Sequence, residues 1–333
     1  MGSPIVRGEE AALSQTPVLG LEETYACISE AVSALETARD VVVVTGPDAR
    51  TWLQGQVSQD LAALGPGHSA ETLVLSPQGK VDAYCRATML TDEIVLLDTE
   101  TGYGELLEQR LRRFRLRVRA ELESGTLRCL EVRGPDSATS LAGSQLEPGT
   151  APAEIRGDTL SAGWIIAVPV TWPGFAGFDV MATAATTGWP LLKVPLGDPA
   201  AFEAARIEAG VPAMGRELTE KTIPQEAGSL VEHTVSFTKG CYTGQELVAR
   251  LDSRGANVAR KLRGVVIDPA GQGQGGATLT GMDRELGSLT SVAWSPRFAS
   301  PVALAYVRRD VVLPAVAKVT PGGADAEIRE LPL

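Results

Sequence analysis

The sequence is poor in the side chains that build metal centres and disulfide frameworks. Its 333 residues include four cysteines and two histidines, namely Cys27, Cys85, Cys129, Cys241, His68 and His233. The cysteines are far apart and form no Cys-x-x-Cys pair, which argues against a zinc site, a self-ligated cluster and a disulfide framework. We therefore predict no metal site and a reducing, cytoplasmic location. Neither histidine lies in the signature of a nucleophilic triad, so neither is given a role.

Long apolar runs and nucleotide-binding loops are also missing. No stretch reaches the roughly 18 apolar residues that span a membrane, and the opening residues, MGSPIVRGEEAALS, have no apolar core of signal-peptide type. The glycines of 271–276 lack the strand–helix context of a Walker or dinucleotide-binding loop. With 41 acidic and 30 basic residues, the formal net charge is −11, which repels nucleic acid and anionic lipid at long range. We expect no membrane contact and no direct nucleic-acid binding.

The remaining segments alternate between helical and β-type patterns, which predicts an α+β fold. The pattern indicates a helix over Tyr25 to Leu35, a buried strand over Asp40 to Val44, a hairpin over 73–89, a helix over Tyr103 to Arg113, a strand over Phe178 to Met181 and a helix from Asp198-Pro199 to Gly210. After Arg260, short β-type stretches alternate with turns, as in a small barrel or sandwich. The predicted units are a flexible arm (1–20), a first α+β domain (21–125), a second α+β domain (126–257) and a C-terminal β domain (258–333).

A faint internal repeat links the two α+β units. The segment from Val44 to Leu53 shares its Gly-Pro-Asp turn with the segment from Val132 to Leu141, and both follow an apolar strand and open a helix. Two interpretations stay open at this point. The segments are either ordinary strand–turn–helix units or the remains of a duplicated α+β unit.

The most informative segment is Lys239-Gly-Cys-Tyr-Thr-Gly-Gln-Glu246. Thr243 and Glu246 have the spacing of a capping box, which predicts a helix N-terminus at Thr243. Cys241 would then lie just before a helix N-terminus and two residues from Lys239, and both neighbours favour a thiolate. The alternative is a small buried cysteine in a tight turn.

This octapeptide resembles the Lys-Gly-Cys-Tyr-x-Gly-Gln-Glu signature of the YgfZ-type folate-binding family, which is built on the aminomethyltransferase fold. The sequence around it agrees, and the resemblance covers roughly residues 40–310. The further matching elements are Arg206-Ile-Glu-Ala-Gly210, Ile223-Pro-Gln-Glu226, Val248-Ala-Arg-Leu-Asp-Ser-Arg-Gly255, Leu289-Thr-Ser291, Ser295-Pro296 and Ala303-Leu-Ala-Tyr-Val307.

The resemblance implies two related α+β domains and a C-terminal β-barrel around a central opening that holds tetrahydrofolate. It also implies a role in the assembly or repair of iron–sulfur proteins, including cluster-dependent tRNA-modifying enzymes, with such proteins or cluster-assembly factors as partners. Cys241 would be the functional thiol, with Lys239 beside it, and Glu208 would hold the pterin ring. The other candidate folate-binding residues are Arg206, Tyr242, Gln245, Glu246 and Arg254. A solvated helix glutamate is the competing interpretation of Glu208.

Asp82 is the candidate for a second kind of chemistry. Aminomethyltransferases place a catalytic aspartate after a Gly-Gly-x-x element, usually with a second aspartate next to it, and Asp82 takes that place here. Lys80 and Ala83 break the pattern, so an ordinary hairpin aspartate is the alternative. The competing function is therefore a tetrahydrofolate-dependent aminomethyltransferase of the glycine cleavage T-protein type.

The stretch from Arg110 to Arg119 contains six arginines. Its second half alternates apolar and cationic residues, which predicts a half-buried strand with a cationic outer face. Such a face could attract a polyglutamate tail, an RNA phosphate or an acidic protein, or it could simply protect a sheet edge from pairing.

Overall fold

The computed structural model describes residues 17–141, 146, 159–186, 194–255, 257–281 and 283–333. Most of the predicted flexible arm, residues 1–16, lies outside the described residues. The helices are α1 (Leu21–Glu30), α2 (Ala49–Gln54), α3 (Gly104–Arg113), α4 (Ser137–Leu141), α5 (Pro199–Ala209), α6 (Leu230–Thr234) and α7 (Gln245–Ser253), with a 3₁₀ turn at Pro224–Glu226. The strands of the first 257 residues are β1 (Ser33–Thr45), β2 (Ser69–Leu75), β3 (Val81–Thr91), β4 (Ile94–Glu100), β5 (Glu121–Arg133), β6 (Ile165–Val170) and β7 (Gly177–Ala182).

These seven strands form one antiparallel sheet in the order β2-β3-β4-β1-β5-β7-β6. The central strand β1 pairs along its whole length with β5, from Ser33 opposite Arg133 to Thr45 opposite Glu121. Its Val41 to Val44 run is completely buried because both faces of the sheet are covered there. The predicted domain boundary at residues 125 and 126 lies inside β5, and the division of this region into two domains stays a prediction.

The sheet is strongly curved. Arg86 on β3 and Asp179 on β7 form an ion pair of 3.0 Å, although β4, β1 and β5 lie between their strands. Strands spaced about 4.8 Å apart would separate β3 and β7 by about 19 Å in a flat sheet. The two halves therefore curl towards each other, and the sheet is a half-barrel with a concave face.

The C-terminal region forms a closed six-stranded barrel in the order β10-β11-β8-β13-β12-β9, as the sequence predicts. Its strands are β8 (Arg260–Ile267), β9 (Thr278–Gly281), β10 (Arg284–Ser295), β11 (Ser300–Arg308), β12 (Ala315–Thr320) and β13 (Ala324–Arg329). The inner face is aliphatic and includes Val265, Leu279 and Ile328. Helix α5 lies against β10 and β11, so it connects the barrel to the half-barrel sheet.

Two local predictions are wrong. The first helix ends at Glu30 rather than Leu35, because Ala34 and Leu35 already pair with β5. The arginine-rich segment after Arg113 is a turn and not a strand. Arg117 has a left-handed φ of 57°, which a strand does not accommodate, and Leu116 is 80% exposed. Of the arginines in this segment, Arg115 pairs with Glu121 and Arg119 pairs with Asp48 of the turn after β1.

The two Gly-Pro-Asp segments adopt the same turn. Gly46 follows β1 with φ 127°, Gly134 follows β5 with φ 122°, and each leads into a short helix, α2 or α4. A Cβ on either glycine would lie within 2.4 Å of a backbone carbonyl oxygen, of Arg119 or of Ala31 respectively. Only glycine fits both turns, so the sequence similarity reflects a shared local geometry.

Candidate functional site

A cavity of about 240 Å³ lies at the concave face of the half-barrel sheet, and we call it the central cavity. Helix α5 and the segment from Val211 to Arg216 cover it. Its walls combine aromatic rings with charged side chains, which are Tyr84, Trp172, Phe202, Arg39, Glu71, Arg86, Glu100, Glu131, Arg133, Asp179, Glu203, Arg206 and Arg216. A flat, polar-edged molecule is the kind of ligand that such walls suit.

A chain of buried ion pairs crosses the floor of the central cavity. Asp98 binds Arg39 at 2.9 Å and Arg86 at 3.0 Å. Asp179 binds Arg86 at 3.0 Å and Arg133 at 2.8 Å. Burial opposes the charge on Asp179, but Arg133 and Arg86 outweigh burial and hold the pKa of its carboxyl at about 2. The carboxylates of both aspartates are therefore paired with arginines.

One hydrogen-bond donor of Arg133 has no partner in the part of the protein that the structure describes. Its Nη1 donates to the carbonyls of Val132 and Phe178, and its Nη2 donates to Asp179. Its Nε has no hydrogen-bond partner although the residue is only 1% exposed. The guanidinium carbon lies 4.6 Å from the centroid of the Trp172 ring. A buried nitrogen of this kind is uncommon, because most buried donors have a hydrogen-bond partner.

Glu131 lies two residues before Arg133 on β5, so both side chains extend from the same face of the strand. Its Oε1 accepts a hydrogen bond from Thr37 at 3.2 Å, and its Oε2 is 3.4 Å from Nη2 of Arg133. Burial raises the pKa of the Glu131 carboxyl, and Arg133 only partly offsets this. One fifth of the side chain stays exposed towards the cavity it lines.

Arg206 and Glu208 do not share a cavity. Arg206 lines the central cavity, but its guanidinium is fully engaged within the protein, by Glu203, the Val211 carbonyl, Glu217 and Ser291. Because Ser291 belongs to β10, Arg206 ties helix α5 to the barrel. Its contacts are those of a structural residue.

Glu208 faces a second cavity of about 590 Å³, between α1, the loop at 173–175 and the turn at Pro296-Arg297. Its Oε2 accepts a 2.6 Å hydrogen bond from the Tyr25 hydroxyl, and its Oε1 accepts one of 2.6 Å from Ser295. Burial and the neighbouring Glu208 raise the pKa of Tyr25. Both carboxylate oxygens are thus occupied by the protein itself.

Asp82 lies near the start of β3, at the register irregularity in the pairing of β3 with β2. Its Oδ2 is 2.5 Å from Nε of Arg110 in α3. Burial raises the pKa of the Asp82 carboxyl, and the Arg110 charge opposes this shift. Asp82 is not among the residues that line the cavity itself.

The octapeptide packs against the loop that follows helix α2. The Lys239 ammonium donates to the carbonyls of Gln54, Val57 and Gln59 at 2.7 to 2.8 Å. These bonds use all three ammonium hydrogens, so Lys239 has none left for the Cys241 thiolate. Burial lowers the pKa of Lys239 to about 8. Cys241 itself is exposed, so the interpretation as a buried turn cysteine is wrong.

The predicted capping box is not formed. Helix α7 begins at Gln245 with Gly244 as its N-cap, in the left-handed region at φ 82°, and no side chain caps it. The start is shifted because Gly244 packs against the turn of the β2–β3 hairpin, where the Ser76 carbonyl leaves no room for a Cβ. Of the remaining candidates, Tyr242 is buried, Gln245 is half-buried, and Glu246 and Arg254 are exposed. None of these four lines the central cavity.

Sequence reasoning missed the charged residues of the cavity floor. A signal for them exists, because Arg86 and Asp179 each interrupt an apolar β-type run and Asp98 ends another. Charged residues are rarely buried unless they are paired. Their partners could not be assigned, because the pairs depend on the curl of the sheet.

Two kinds of feature are absent from the described residues. Within these ranges, no helix has the length and apolar character needed to traverse a membrane. The same part of the chain contains no group of three or more histidine, cysteine, aspartate or glutamate side chains placed to hold a metal ion.

Comparison with known families gives two matches that together cover most of the chain. Residues 28–239 match the GCVT N-terminal domain, and residues 260–330 match the glycine cleavage T-protein C-terminal barrel domain. The crystal structure of the glycine cleavage system aminomethyltransferase T from Bartonella henselae superposes with a TM-score of 0.78 at 21% identity, over 94% of this chain and 89% of that one. At this identity, the superposition supports the fold alone.

Similar sequences have three different names. The tRNA-modifying protein YgfZ of Edwardsiella ictaluri is 30% identical over 223 residues, which are 64% of this chain and 65% of that protein. The aminomethyltransferase of Cutibacterium acnes is 26% identical, over 80% of this chain and 76% of that protein. An iron–sulfur cluster assembly factor IBA57 homolog of Chaetomium globosum is 26% identical, over 73% of this chain and 58% of that protein. The match to the YgfZ relative thus spans less than two thirds of its length.

Proposed function

This chain belongs to the family defined by the GCVT N-terminal domain and the glycine cleavage T-protein C-terminal barrel domain, and we propose that it is a tetrahydrofolate-binding accessory protein. In this proposal it supports the assembly or repair of iron–sulfur proteins, including cluster-dependent tRNA-modifying enzymes. Its partners are a reduced folate and either the iron–sulfur proteins themselves or the factors that assemble their clusters. The names of the YgfZ and IBA57 relatives support this role.

The central cavity is the proposed folate site. A pterin ring is flat and carries hydrogen-bond donors and acceptors along one edge, and the cavity has an aromatic wall at Trp172 and charged groups beside it. The Glu131 carboxylate, which lines the cavity and is one fifth exposed, is an acceptor suited to the donors of such an edge. When bound, the folate would supply one-carbon chemistry, and the chain's own residues would bind and orient it.

The exposed Cys241 is the observation that carries the accessory role. It lies at the surface in the Lys239–Glu246 loop, which hydrogen bonds from Lys239 fix to the loop after α2. An exposed thiol on a fixed loop can meet the sulfur or metal of a partner protein, which a thiol inside the core cannot. We therefore assign Cys241 a role in redox chemistry, ligation or sulfur exchange with a partner.

An aminomethyltransferase activity is the second candidate, and Asp82 is the observation in its favour. Asp82 lies on β3, the strand that also carries the cavity-lining Tyr84 and Arg86, and relatives named aminomethyltransferase match this chain. Arg110 pairs with the Asp82 carboxylate at 2.5 Å, however, and Ala83 replaces the usual second aspartate. A carboxylate held in this way is poorly placed to take a proton from the folate amines.

The decisive experiment combines binding with rescue of a deletion strain. Calorimetry with tetrahydrofolate should show binding by the intact chain. In the deletion strain, Cys241→Ser should fail to restore the activity of cluster-dependent tRNA-modifying enzymes, whereas Cys27→Ser should restore it. Full rescue by Cys241→Ser would refute the proposed thiol role. Folate-dependent ammonia release from an aminomethyl-lipoyl carrier would establish the second candidate instead.

A further inference from the structure

The end of helix α3 and the turn after it, residues 113–119, form a charged surface that the proposed function does not use, and we call it the arginine turn. The Phe114 carbonyl accepts a hydrogen bond of 3.3 Å from Nε1 of Trp52, which attaches the turn to helix α2. Beyond this attachment the chain faces water, with Leu116 80% exposed and Arg117 exposed as well. Apolar and arginine side chains occur together at protein interfaces, in which arginine is enriched over the other charged residues.

Two guanidinium groups of the arginine turn have no carboxylate partner. Arg115 and Arg119 each pair with an acidic side chain. Arg113 and Arg117 are exposed and form no ion pair with any residue that the structure describes. Arg117 also adopts a left-handed φ of 57°, which a glycine would adopt without strain. The turn therefore presents two free positive charges on a chain whose formal net charge is −11.

The arginine turn and the Lys239–Glu246 loop are attached to the same short helix. Trp52 of α2 binds the turn, and the carbonyl of Gly55, just after α2, accepts a hydrogen bond of 3.2 Å from the Thr243 N–H. A helix of six residues is about 9 Å long. Since a stable interface covers about 800 Å² on each partner, one protein can contact the turn and Cys241 together.

A second set of contacts supports the same arrangement from the other side. Arg110 of α3 pairs with Asp82 of β3 at 2.5 Å. The hairpin turn that precedes Asp82 touches Gly244 of the Lys239–Glu246 loop through Gly79. The position of the arginine turn relative to the thiol loop is thus fixed by two independent routes.

We infer that the arginine turn docks an acidic face of a partner protein, with Leu116 against an apolar part of that face. Docking there holds the partner next to Cys241, so that its sulfur or metal can meet the exposed thiol. The inference rests on the proposed function, since the partner is the one that Cys241 serves. The arginine turn supplies the local attraction that an acidic partner needs in order to approach an acidic chain.

RNA and a folate polyglutamate tail suit the turn less well. Two free arginines are few beside the roughly 6–10 phosphate contacts of a nucleic-acid-binding protein, and the net negative charge of the chain repels RNA. Phosphates make no use of Leu116 or of Phe237, which is 44% exposed and four residues before Cys241. A polyglutamate tail would begin in the central cavity, and among the described residues that line this cavity none belongs to the arginine turn.

The experiment measures how fast Cys241 reacts with an acidic probe peptide of about 12 residues, which spans about 40 Å when extended. The peptide carries glutamates and one leucine at one end, and at the other end a cysteine in a mixed disulfide with 2-nitro-5-thiobenzoate. The Cys241 thiolate attacks the peptide sulfur, a disulfide joins Cys241 to the peptide, and 2-nitro-5-thiobenzoate leaves as a coloured thiolate. A matched peptide has glutamines in place of the glutamates, and the rate on Cys241→Ser is subtracted from each.

Docking predicts a rate ratio that the overall charge of the chain would not give. At low salt, the glutamate peptide should react about tenfold faster than the glutamine peptide, and the ratio should fall towards one at high salt. Without docking, the net negative charge would make the glutamate peptide the slower one. A ratio of one or less at low salt would therefore overturn the inference.

Three variants assign the effect to the arginine turn. The double variant Arg113→Gln/Arg117→Gln should lower the ratio at least fivefold. Arg284→Gln/Arg308→Gln is the matched control, because it removes two exposed arginine charges from the barrel, and it should keep the ratio. Leu116→Ser should slow both peptides by the same factor, about threefold, since both carry the leucine. A ratio unchanged in the first variant, or rates unchanged in Leu116→Ser, would overturn the inference.

Two further arms distinguish the other anions. An RNA oligonucleotide with the same activated disulfide that reacts faster than the glutamate peptide would assign the turn to RNA. Loss of the acceleration with equimolar tetrahydrofolate pentaglutamate, but not with the monoglutamate, would assign it to the folate tail. Either result would overturn the docking of an acidic protein.

Rescue of the deletion strain tests the docking surface in the cell. Arg113→Gln/Arg117→Gln should restore cluster-dependent tRNA modification at least threefold less well than wild type, with unchanged tetrahydrofolate affinity. Full rescue by this variant would overturn the inference. Full rescue by Cys241→Ser, by contrast, would refute the proposed thiol role while the peptide rates still stood, so the two failures are distinguishable.

Discussion

The backbone of Gly79, at the turn of the β2–β3 hairpin, is in contact with the backbone of Gly244, at the start of α7. A Cβ on Gly244 would lie 3.2 Å from the Gly79 Cα, and a Cβ on Gly79 would lie 3.0 Å from the Gly244 carbonyl oxygen. Both residues are in the left-handed region, with φ of 72° and 82°. The octapeptide that contains Cys241 is therefore attached directly to the hairpin that leads to Asp82.

This contact predicts a large penalty for a methyl group at Gly244. In Gly244→Ala the new Cβ would lie 2.5 Å from the Ser76 carbonyl oxygen, in addition to the left-handed strain of about 1–3 kcal/mol. Urea unfolding should show a larger loss of unfolding free energy for Gly244→Ala than for Gly255→Ala. Gly255 is also left-handed, at φ 71°, but has open space around it. Equal losses of unfolding free energy in the two variants would mean that the contact with the hairpin contributes nothing to stability.

Lys239 predicts a specific dependence of stability on pH. Its pKa is lowered by burial from 10.5 to about 8 in the folded chain. Between these values the unfolded chain holds the proton that the folded chain has lost, so unfolding takes up a proton and stability rises with pH. Thermal unfolding from pH 7 to 10 should show wild type gaining stability relative to Lys239→Met. If the difference in melting temperature between wild type and Lys239→Met stays constant over this pH range, the lowered pKa of Lys239 is contradicted.

Cys241 should react first among the four cysteines. It is the exposed one, Cys27 is intermediate, and Cys85 and Cys129 are buried. Burial raises the pKa of the Cys85 and Cys129 thiols, which removes their reactive thiolate at neutral pH. Iodoacetamide labelling followed by peptide mass spectrometry should give the order Cys241, then Cys27, then the buried pair. Faster labelling of Cys85 would show that the half-barrel opens in solution.

Glu208 should behave as a structural residue rather than a pterin ligand. Glu208→Gln weakens the charge-assisted bonds to Tyr25 and Ser295, which should cost about 1–3 kcal/mol of unfolding free energy. Tetrahydrofolate affinity should change less than about twofold by calorimetry. A tenfold loss of affinity without loss of stability would return Glu208 to the folate site, as the sequence resemblance implies.

Arg86 is the residue whose loss should damage the half-barrel most. It is buried and pairs with both Asp98 and Asp179, so Arg86→Met leaves two buried carboxylates short of a partner. We expect a loss of about 3–5 kcal/mol in chemical denaturation. Arg119→Met is the control, because the Arg119 side chain is 76% exposed in its pair with Asp48. This substitution should change the unfolding free energy little.

Local patterns in the sequence were sufficient for much of the fold. The strand at Val41–Val44, helix α3 and the barrel all follow from runs of neighbouring residues. Helix α5 does too, since Asp198 caps it through the Ala200 N–H and Gly210 ends it at φ 76°. The resemblance of the octapeptide identified the family, which the matching domains confirm.

What the sequence did not predict depends on contacts between distant segments. The capping box at Thr243 failed because the hairpin turn at Ser76 displaces the helix start to Gly244. The separation of Arg206 from Glu208 follows from the orientation of α5 between two cavities. The floor of the central cavity requires the sheet to curl, and no spacing along the chain reveals that curl.

The ion pair between Arg86 and Asp179 has a consequence for the order of folding. Its two residues are 93 positions apart, so a chain emerging from the ribosome presents Arg86 long before its partner exists. Contacts with such separation form late, because the intervening segment must first be ordered. The central cavity is therefore completed only when β7 docks, and a nascent chain that ends before Asp179 has no closed site in which to hold a ligand.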